Sequence, residues 1–294
     1  MTVVGVVVHA GKTFGGGLEE LRRVLAEAGC ENPLWYEVQK SRKAPKAVHR
    51  AVRDGAELLF VWGGDGMVQS CIDALHGTNV PIAILPAGTG NLLATDLGIP
   101  KDVAKAVEIG LHGERRRLDL GVVNGERFAA MAGTGFDAIM MHDTTSDEKE
   151  KLGRAAYLRS SVRAMRARSV RIRVRVDRKV WFTGKASCLL IGNIGKVTGG
   201  LEVFAEASPS DGQLDVGVVT AKSAWEWLKV FSEVAVGRTD QSHLVEKTRG
   251  TRIDVKLKRR RRYELDGGAR PRTKRLKVRI EAGAITVCVP LTAP

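Results

Sequence analysis

Two glycine-rich segments carry the residues whose types and spacing suggest phosphate chemistry. The first is Gly63-Gly64-Asp65-Gly66-Met67-Val68-Gln69, which directly follows an apolar run. Because three of its positions have no side chain, backbone N–H groups there could approach a polyphosphate closely, and a following helix would add the positive end of its dipole. A carboxylate among phosphates is repelled unless it acts through a divalent cation, so Asp65 is a candidate catalytic residue that orients magnesium or the sugar of a nucleotide. The alternative is a tight strand-to-helix turn in which Asp65 caps the helix.

A second segment, Pro86-Ala87-Gly88-Thr89-Gly90-Asn91-Leu92, has the same relation to its neighbours in the chain. It follows another apolar run, and its Thr89 and Asn91 supply a hydroxyl and an amide without adding negative charge. Turns at the carboxyl ends of successive parallel strands converge on one crevice, where open α/β sheets bind ligands. The two segments together predict a nucleotide site. Its residues are Gly63, Gly64, Asp65, Gly66, Met67, Val68, Gln69, Gly88, Thr89 and Asn91.

A third glycine cluster includes Gly11-Lys12-Thr13, which matches the end of a Walker A motif. The earlier glycine that this motif requires would fall at Val6, inside an apolar run, so the spacing excludes a P-loop. Lys12 could still reach a phosphate from this turn.

The hydrophobic pattern predicts the elements that must position these turns. In residues 1–120, apolar runs alternate with stretches of helical spacing, which predicts an α/β domain with a doubly wound parallel sheet. Residues 121–294 contain many short strand candidates and few helices, which predicts a C-terminal antiparallel β-sandwich domain or an open barrel. The end of the chain could return to pack on the first domain. The predicted strands of the first domain are 3–9, 34–38, 58–62 and 82–85, and its predicted helices are 18–28, 46–54 and 68–75.

Composition limits the class of protein. The chain has 294 residues, of which 44% are hydrophobic and 27% charged, so global disorder is excluded. The four cysteines are far apart among apolar neighbours, which indicates buried free thiols in a reducing compartment rather than disulfides or a zinc site. The first apolar run is too short for a signal or membrane-spanning segment. We therefore expect a cytoplasmic protein whose membrane contact, if any, is peripheral.

The net charge of +14 is concentrated in one part of the chain. Residues 1–120 hold 14 basic and 14 acidic residues, so the whole excess lies in residues 121–294. Residues 149–185 and 256–262 are the two most basic segments, and Arg171, Arg173 and Arg175 alternate there with apolar residues, as on a strand with one arginine face. Such runs are often only a solvated face, but they could also hold a protein against an anionic membrane. The lack of an aromatic stacking platform or a recognition helix argues against nucleic acid.

The paired turns resemble those of the diacylglycerol kinase catalytic domain family, which includes bacterial lipid kinases and sphingosine kinases. Further matches follow in the same order along nearly the whole chain. The resemblance implies a nucleotide domain, a C-terminal β-sandwich, ATP bound in the cleft between them, and a lipid substrate such as diacylglycerol. The matching later segments are Gly133-Thr134-Gly135-Phe136-Asp137-Ala138, Asp211-Gly212-Gln213-Leu214-Asp215-Val216 and Leu265-Asp266-Gly267-Gly268.

The sequence departs from the family pattern at functional positions. An aspartate of the second turn is replaced by Leu92, and the glutamate that would end the last segment is Gly268. In the family, that glutamate is the proposed general base that takes the proton of the lipid hydroxyl. The nearest remaining carboxylate is Asp266, a candidate catalytic substitute whose alternative is a turn-forming aspartate.

The resemblance also implies a magnesium site in the second domain. Its matching residues here are Asp211 and the backbone carbonyl of Gln213, whereas another acidic ligand of the family falls at Ser208. The alternative for Asp211 is an Asp-Gly turn between two strands.

These observations predict an ATP- and magnesium-dependent lipid kinase that phosphorylates the hydroxyl of diacylglycerol or a similar lipid at the membrane surface. Two alternatives stay open: a catalytically silent nucleotide- and membrane-binding member of the family, and an NAD kinase, which shares the GGDG turn. The sequence is compatible with a homodimer and does not identify the lipid.

Overall fold

The computed structural model describes residues 2–135, 169–197, 202–237 and 242–291. The chain forms two compact units, one of residues 1–120 with 282–294 and one of residues 121–281. Three features predicted from the sequence lie wholly or partly outside the described residues. They are Asp137 in the Gly133–Ala138 segment, the helix candidate at 154–168, and the first twenty residues of the basic segment 149–185.

The first unit is built around a parallel sheet. Its strands lie in the order β4-β3-β1-β2, and the end of β14 pairs in parallel with β4 through Val287 and Ile82. The strands of this unit are β1 (Val4–His9), β2 (Leu34–Val38), β3 (Leu58–Gly63), β4 (Ile82–Pro86) and most of β5 (Glu114–Val123). The helices are α1 (Gly17–Glu27), α2 (Ala44–Arg53), α3 (Asp65–Leu75), α4 (Leu92–Asp96) and α5 (Val103–His112).

The central strands have no polar face. Every residue of β3 and of β4 is buried, as are five of the six residues of β1. Helix α1 packs against α5, and α2 packs against α3, each through an apolar stripe such as Leu21, Val24 and Leu25 of α1. Continuous apolar strands covered by helices are typical of a doubly wound sheet, so the predicted fold class of this domain is confirmed.

The second unit is antiparallel. Its strands follow the order β12-β11-β10-β7-β13-β14, while β8 and β9 extend from β13, and β6 pairs with β5. Strand alternation places one face in a single apolar core that includes Phe128, Ile191 and Leu265, as expected for a sandwich-like domain. The remaining elements are β6 (Glu126–Phe128), β7 (Met131–Thr134), β8 (Val170–Val176), β9 (Lys179–Ala186), β10 (Cys188–Gly192), β11 (Leu214–Val219), α6 (Ala224–Ala235), β12 (Val245–Gly250), β13 (Arg252–Leu265) and β14 (Gly268–Val289).

Helix α5 lies where the hydrophobic pattern predicts none, and α4 lies in the helix-like stretch that follows the second glycine turn. Helix α4 has only five residues, too few for a 3.6-residue period to be recognised. Helix α5 begins at Asp102, whose carboxylate accepts a hydrogen bond from the Lys105 N–H at 2.9 Å and caps it. Within the described part of the chain, no helix is long and apolar enough to cross a bilayer.

Candidate active site

The two glycine turns lie side by side at the carboxyl ends of β3 and β4. The strands are parallel neighbours, and Gly63 is in register with Pro86. The turns approach so closely that a Cβ atom placed on Gly88 would stand 2.4 Å from the Cα atom of Gly64. Because any side chain on Gly88 would collide with backbone there, this approach requires glycine. The predicted convergence of the two segments is therefore confirmed.

The Asp65 carboxylate joins the two turns. It accepts hydrogen bonds from the backbone N–H of Asn91 at 2.8 Å and of Leu92 at 2.5 Å, and it is buried. Leu92 opens α4, so Asp65 caps that helix rather than α3, of which it is the first residue. Asp65 is therefore a helix cap, as one interpretation of the sequence predicted, but it caps α4 and not α3. Since both carboxylate oxygens are engaged, the geometry favours a positioning role for Asp65 over direct binding of magnesium.

Asn91 holds the second turn from within. Its backbone is left-handed, with φ of 49°, a conformation that asparagine tolerates. Its side-chain Oδ1 accepts a hydrogen bond from the Gly88 N–H at 2.9 Å, and its Nδ2 donates to the Gly88 carbonyl at 2.8 Å. Both Asn91 and Gly88 therefore shape the turn, and the Gly88 N–H already has its acceptor.

Four backbone N–H groups remain at the mouth of the turns. Those of Gly64, Gly66, Thr89 and Gly90 have no hydrogen-bond acceptor within the described part of the protein. The three glycines are half-buried, and Thr89 is exposed. Unpaired N–H groups at the start of a helix and in an adjoining turn form a concave donor surface for an anion.

Three residues predicted to contact the nucleotide have buried side chains instead. Met67, Val68 and Gln69 lie in the core of the first unit. A Cβ atom on Gly63 would stand 2.5 Å from that of Met67, and the N–H groups of Met67 and Val68 bond to the Gly64 carbonyl. The structure thus argues against ligand contact by these three side chains. A buried helix face produces the same short sequence pattern as a binding loop.

Lys12 and His9 lie beside the glycine turns. His9 ends β1, which is the parallel neighbour of β3, and a Cβ atom on Gly63 would be 3.9 Å from the His9 Cβ. The Lys12 carbonyl accepts a hydrogen bond from the Trp62 indole at 3.1 Å. Burial and the Lys12 ammonium hold the pKa of His9 below its usual range, and its Nδ1 accepts from the Gly11 N–H at 3.2 Å. His9 is therefore a neutral imidazole at this edge of the sheet. The sequence pattern did not indicate that His9 lies beside the glycine turns, although its position at the end of a predicted strand is a signal that could have done so.

Asp266 is a hairpin residue. It and Gly267 both have positive φ, 43° and 77°, as in the two-residue type I′ turn that joins β13 to β14. Its buried carboxylate accepts three hydrogen bonds, from the N–H groups of Ala129 at 2.8 Å, Ala130 at 2.9 Å and Met131 at 2.8 Å. The geometry favours the turn-forming interpretation. The assignment of Asp266 as a general base stays a prediction.

Asp211 faces an arginine. One carboxylate oxygen accepts the Gln213 N–H at 2.9 Å, and the other forms an ion pair with Arg249. The same guanidinium lies 3.3 Å from the Asp215 carboxylate and 4.0 Å from that of Glu206. Burial raises the pKa of Asp215 to about 6, although Arg249 acts in the opposite direction. Three carboxylates thus converge on one fixed cation.

The chain is similar to known proteins over most of its length. The profile of the diacylglycerol kinase catalytic domain matches residues 5–123, and that of the YegS C-terminal NAD kinase beta sandwich-like domain matches residues 130–289. A diacylglycerol kinase of Mycobacterium tuberculosis is 30% identical over 212 residues, 70% of this chain and 68% of the relative. A Pseudomonas aeruginosa protein named "Probable lipid kinase YegS-like" is 30% identical over 295 residues, 98% of this chain and 95% of the relative. The chain belongs to the diacylglycerol kinase family.

Solved structures agree on the fold. A diacylglycerol kinase of Bacillus anthracis superimposes with a TM-score of 0.78 at 20% identity, covering 98% of this chain and 96% of the other. An NAD kinase of Archaeoglobus fulgidus, solved in complex with ATP, superimposes with a TM-score of 0.52 at 11% identity, covering 98% and 93%. These identities are too low to indicate more than a shared fold. Membership of this chain in the diacylglycerol kinase family is therefore shown by the sequence matches alone.

The position of the missing family glutamate is occupied by a cation from another residue. A Cβ atom on Gly268 would stand 2.6 Å from Nη1 of Arg270. Arg270 is in turn fixed by a salt bridge with Glu126, whose carboxylate oxygens both lie 2.8 Å from Nε. A second carboxylate near this position, besides that of Asp266, is therefore that of Glu126, and it is paired with Arg270.

The residues at Asp211 do not fit a magnesium ion. Both Asp211 oxygens are engaged, and the Arg249 guanidinium lies where the surrounding carboxylates would direct a divalent cation. Magnesium needs several oxygen ligands in near-octahedral geometry. Across the described ranges, no cluster of three or more His, Cys, Asp or Glu side chains could hold a metal. The metal site predicted at Asp211 and Gln213 is therefore not supported by the geometry of these residues.

Proposed function

We propose that the chain is an ATP-dependent lipid kinase that transfers the γ-phosphoryl group to the hydroxyl of diacylglycerol or a similar lipid. One observation carries this proposal. The two glycine turns of a diacylglycerol kinase family domain touch each other and together present four N–H groups that have no acceptor among the described residues. Such a donor surface suits the phosphates of a nucleotide.

In this proposal the first unit positions ATP. The N–H groups of Gly64, Gly66, Thr89 and Gly90 would hold phosphate oxygens, and Lys12 would add a positive charge from the neighbouring strand end. Asp65 acts indirectly, because its hydrogen bonds to Asn91 and Leu92 keep the second turn in the binding conformation. Phosphoryl transfer depends mainly on positioning and charge stabilisation, which preformed turns supply.

Magnesium enters as a companion of ATP in this proposal. Since Asp65 is engaged and Asp211 is paired with Arg249, the phosphates themselves would supply most of the ligands of the ion. The ion would neutralise charge on the transferred group. No step of the proposal needs a metal held by Asp211.

In this proposal the protein binds its lipid substrate at an anionic membrane surface. The described part of the basic segment 149–185 alternates as predicted, with Arg171, Arg173 and Arg175 exposed and the two residues between them buried. In the segment 256–262, five basic side chains are exposed, while Arg261 is half-buried and donates to the Ser187 carbonyl at 3.2 Å. Each basic residue near an anionic surface contributes roughly 1 kcal/mol of attraction.

The identity of the proton acceptor separates the two candidate functions. Gly268 has no carboxylate, and that of Asp266 already accepts three backbone hydrogen bonds. This observation favours the second candidate function, a nucleotide- and membrane-binding protein without turnover. If Asp266 is the base, Asp266→Asn abolishes transfer while ATP binding persists. Transfer equal to that of the wild type would exclude this assignment.

The decisive experiment is transfer of label from γ-labelled ATP to a total lipid extract, with NAD as a parallel acceptor. We expect label in the organic phase and none in NADP. Asp65→Asn should reduce transfer by about tenfold or more, since a mispositioned phosphate loses much of the rate, whereas Glu31→Gln, at an exposed position, should not. ATP binding without label in any lipid would favour the silent protein, and label in NADP would favour an NAD kinase.

A further inference from the structure

A basic face covers one side of the second unit. Strands β8, β13 and β14 lie side by side, with Arg175 opposite Asp254 and Asp254 opposite Lys277. The next row of the same face holds Arg173, Lys256 and Arg275, and a further pair is Arg252 with Arg279. The alternate residues of these strands, among them Val174, Val255 and Val278, form the core. The face is therefore fixed by strand register rather than by loops.

A cavity of about 800 Å³ opens on this face. One side is formed by Val122, Asn124 and Gly125 at the β5–β6 turn. Among the described residues that line it, Asp254 is the one acidic residue. The basic lining residues are Arg175, Arg178, Arg252, Arg275, Lys277 and Arg279.

Two of these six positive charges are paired with an acidic side chain. Arg275 forms an ion pair with Asp254, and Arg279 lies 2.6 Å from Glu281. The Arg175 guanidinium donates to the Arg178 carbonyl at 2.7 Å.

Three of the other charges form no salt bridge within the described residues. They are Arg178, Arg252 and Lys277, and the Asp254 carboxylate opposite Lys277 is already paired with Arg275. The nearby Asp177 carboxylate is occupied by the N–H groups of Thr251 at 3.1 Å and of Arg252 at 2.9 Å. The cavity therefore holds an excess of positive charge that the protein itself does not neutralise.

The rim of the cavity is held in an uncommon conformation. Asp177 and Arg178 join β8 to β9 with φ of 46° and 71°, where glycine or asparagine is usual. The Asp177 carboxylate anchors this turn to the start of β13. An arginine kept at a left-handed position is uncommon, and here its side chain lines the cavity.

We propose that this cavity binds a phosphate-bearing anion with several negative charges. One guanidinium group can donate two parallel hydrogen bonds to two oxygens of a phosphate. The volume of the cavity lies in the range of small-molecule sites. The site is distinct from the glycine turns, since all its residues belong to residues 121–281. The same phosphate chemistry could come from a soluble polyphosphate or from a phospholipid headgroup. The proposal does not depend on the proposed kinase activity.

The test uses titration calorimetry with inositol hexakisphosphate as a soluble probe. We expect saturable binding of one probe per chain. The triple variant Arg178→Gly, Arg252→Gln, Lys277→Gln should weaken it by about tenfold or more, because three charge-assisted contacts are lost. A matched variant, Lys40→Gln, Lys101→Gln, Lys105→Gln, removes the same charge from exposed positions of the first unit and should bind as the wild type does. Circular dichroism would verify that both variants are folded.

A second arm identifies the source of the phosphate. Phosphatidylcholine vesicles with a minor fraction of phosphatidic acid should compete with the probe if a headgroup enters the cavity, and should fail to compete if the ligand is soluble. Either result supports the site. Absence of saturable binding, or equal weakening in the two triple variants, would overturn it.

Discussion

Gly88 and Gly64 belong to different turns, yet a methyl group on Gly88 would stand 2.4 Å from the Gly64 Cα. The contact is backbone against backbone, so no side chain can move to relieve it. The two turns therefore act as one unit, and a change in either is felt by both.

Gly88→Ala should disrupt this contact. We expect a loss of about 1–3 kcal/mol in the free energy of unfolding, the usual cost of overpacking, together with weaker ATP binding. Urea denaturation and titration with ATP measure the two effects. Gly66→Ala is the matched control for the stability measurement alone, because a Cβ atom there meets nothing within 4 Å and alanine favours the helix. Equal stability of the two variants would show that the turns can separate without cost.

Gly268→Glu should raise transfer to lipid. The new Cβ atom would stand 2.6 Å from the end of the Arg270 side chain, which must move, and 3.3 Å from the Leu265 carbonyl oxygen, which must shift by a few tenths of an ångström. If a base at this position limits turnover, kcat should rise by about tenfold or more. Gly268→Gln has nearly the same shape but cannot accept the proton. A similar kcat for the two variants would show that no base is lacking at position 268.

Asp215 should make stability depend on pH. Burial raises the pKa of its carboxyl from 3.8 to about 6 in the folded chain, so the folded state binds the proton more tightly than the unfolded state. Its contribution to stability is therefore fully present below about pH 4 and is lost as the pH rises to about 6.

Asp215→Asn should remove this slope. Urea denaturation between pH 4 and pH 6.5 would compare the variant with the wild type, and Glu31→Gln serves as a control at an exposed carboxyl. Parallel pH profiles for the wild type and Asp215→Asn would contradict the assignment of the raised pKa to this residue.

Arg249→Ala should expose the carboxylate cluster. With its cation gone, mutual repulsion of Asp211 and Asp215 should cost about 1–3 kcal/mol, below the cost for a fully buried pair because Arg249 is partly exposed. Calcium or magnesium should then recover part of the lost melting temperature, while EDTA and magnesium leave that of the wild type unchanged. Arg249→Lys keeps the charge and should show little response to either ion. A wild-type melting temperature that falls in EDTA would contradict this interpretation.

The sequence was sufficient for the fold class and for the place where the glycine turns meet. Both follow from local patterns, namely apolar runs that end in glycines and the rule that parallel strands bring their carboxyl ends together. Three details depend on tertiary register instead. Asp65 caps a helix 26 residues further on, and Met67 fills the space above Gly63. Arg249 reaches the acidic residues because β12 places it directly opposite Asp215 on β11.

Arg249 changes what the second unit requires from its surroundings. A divalent ion can be chelated, exchanged for a competitor or depleted when its supply falls. An arginine side chain is covalently attached and keeps its proton at every physiological pH. Because this chain carries its own counter-charge among Glu206, Asp211 and Asp215, we expect the architecture of its β-rich half to be independent of the free magnesium concentration.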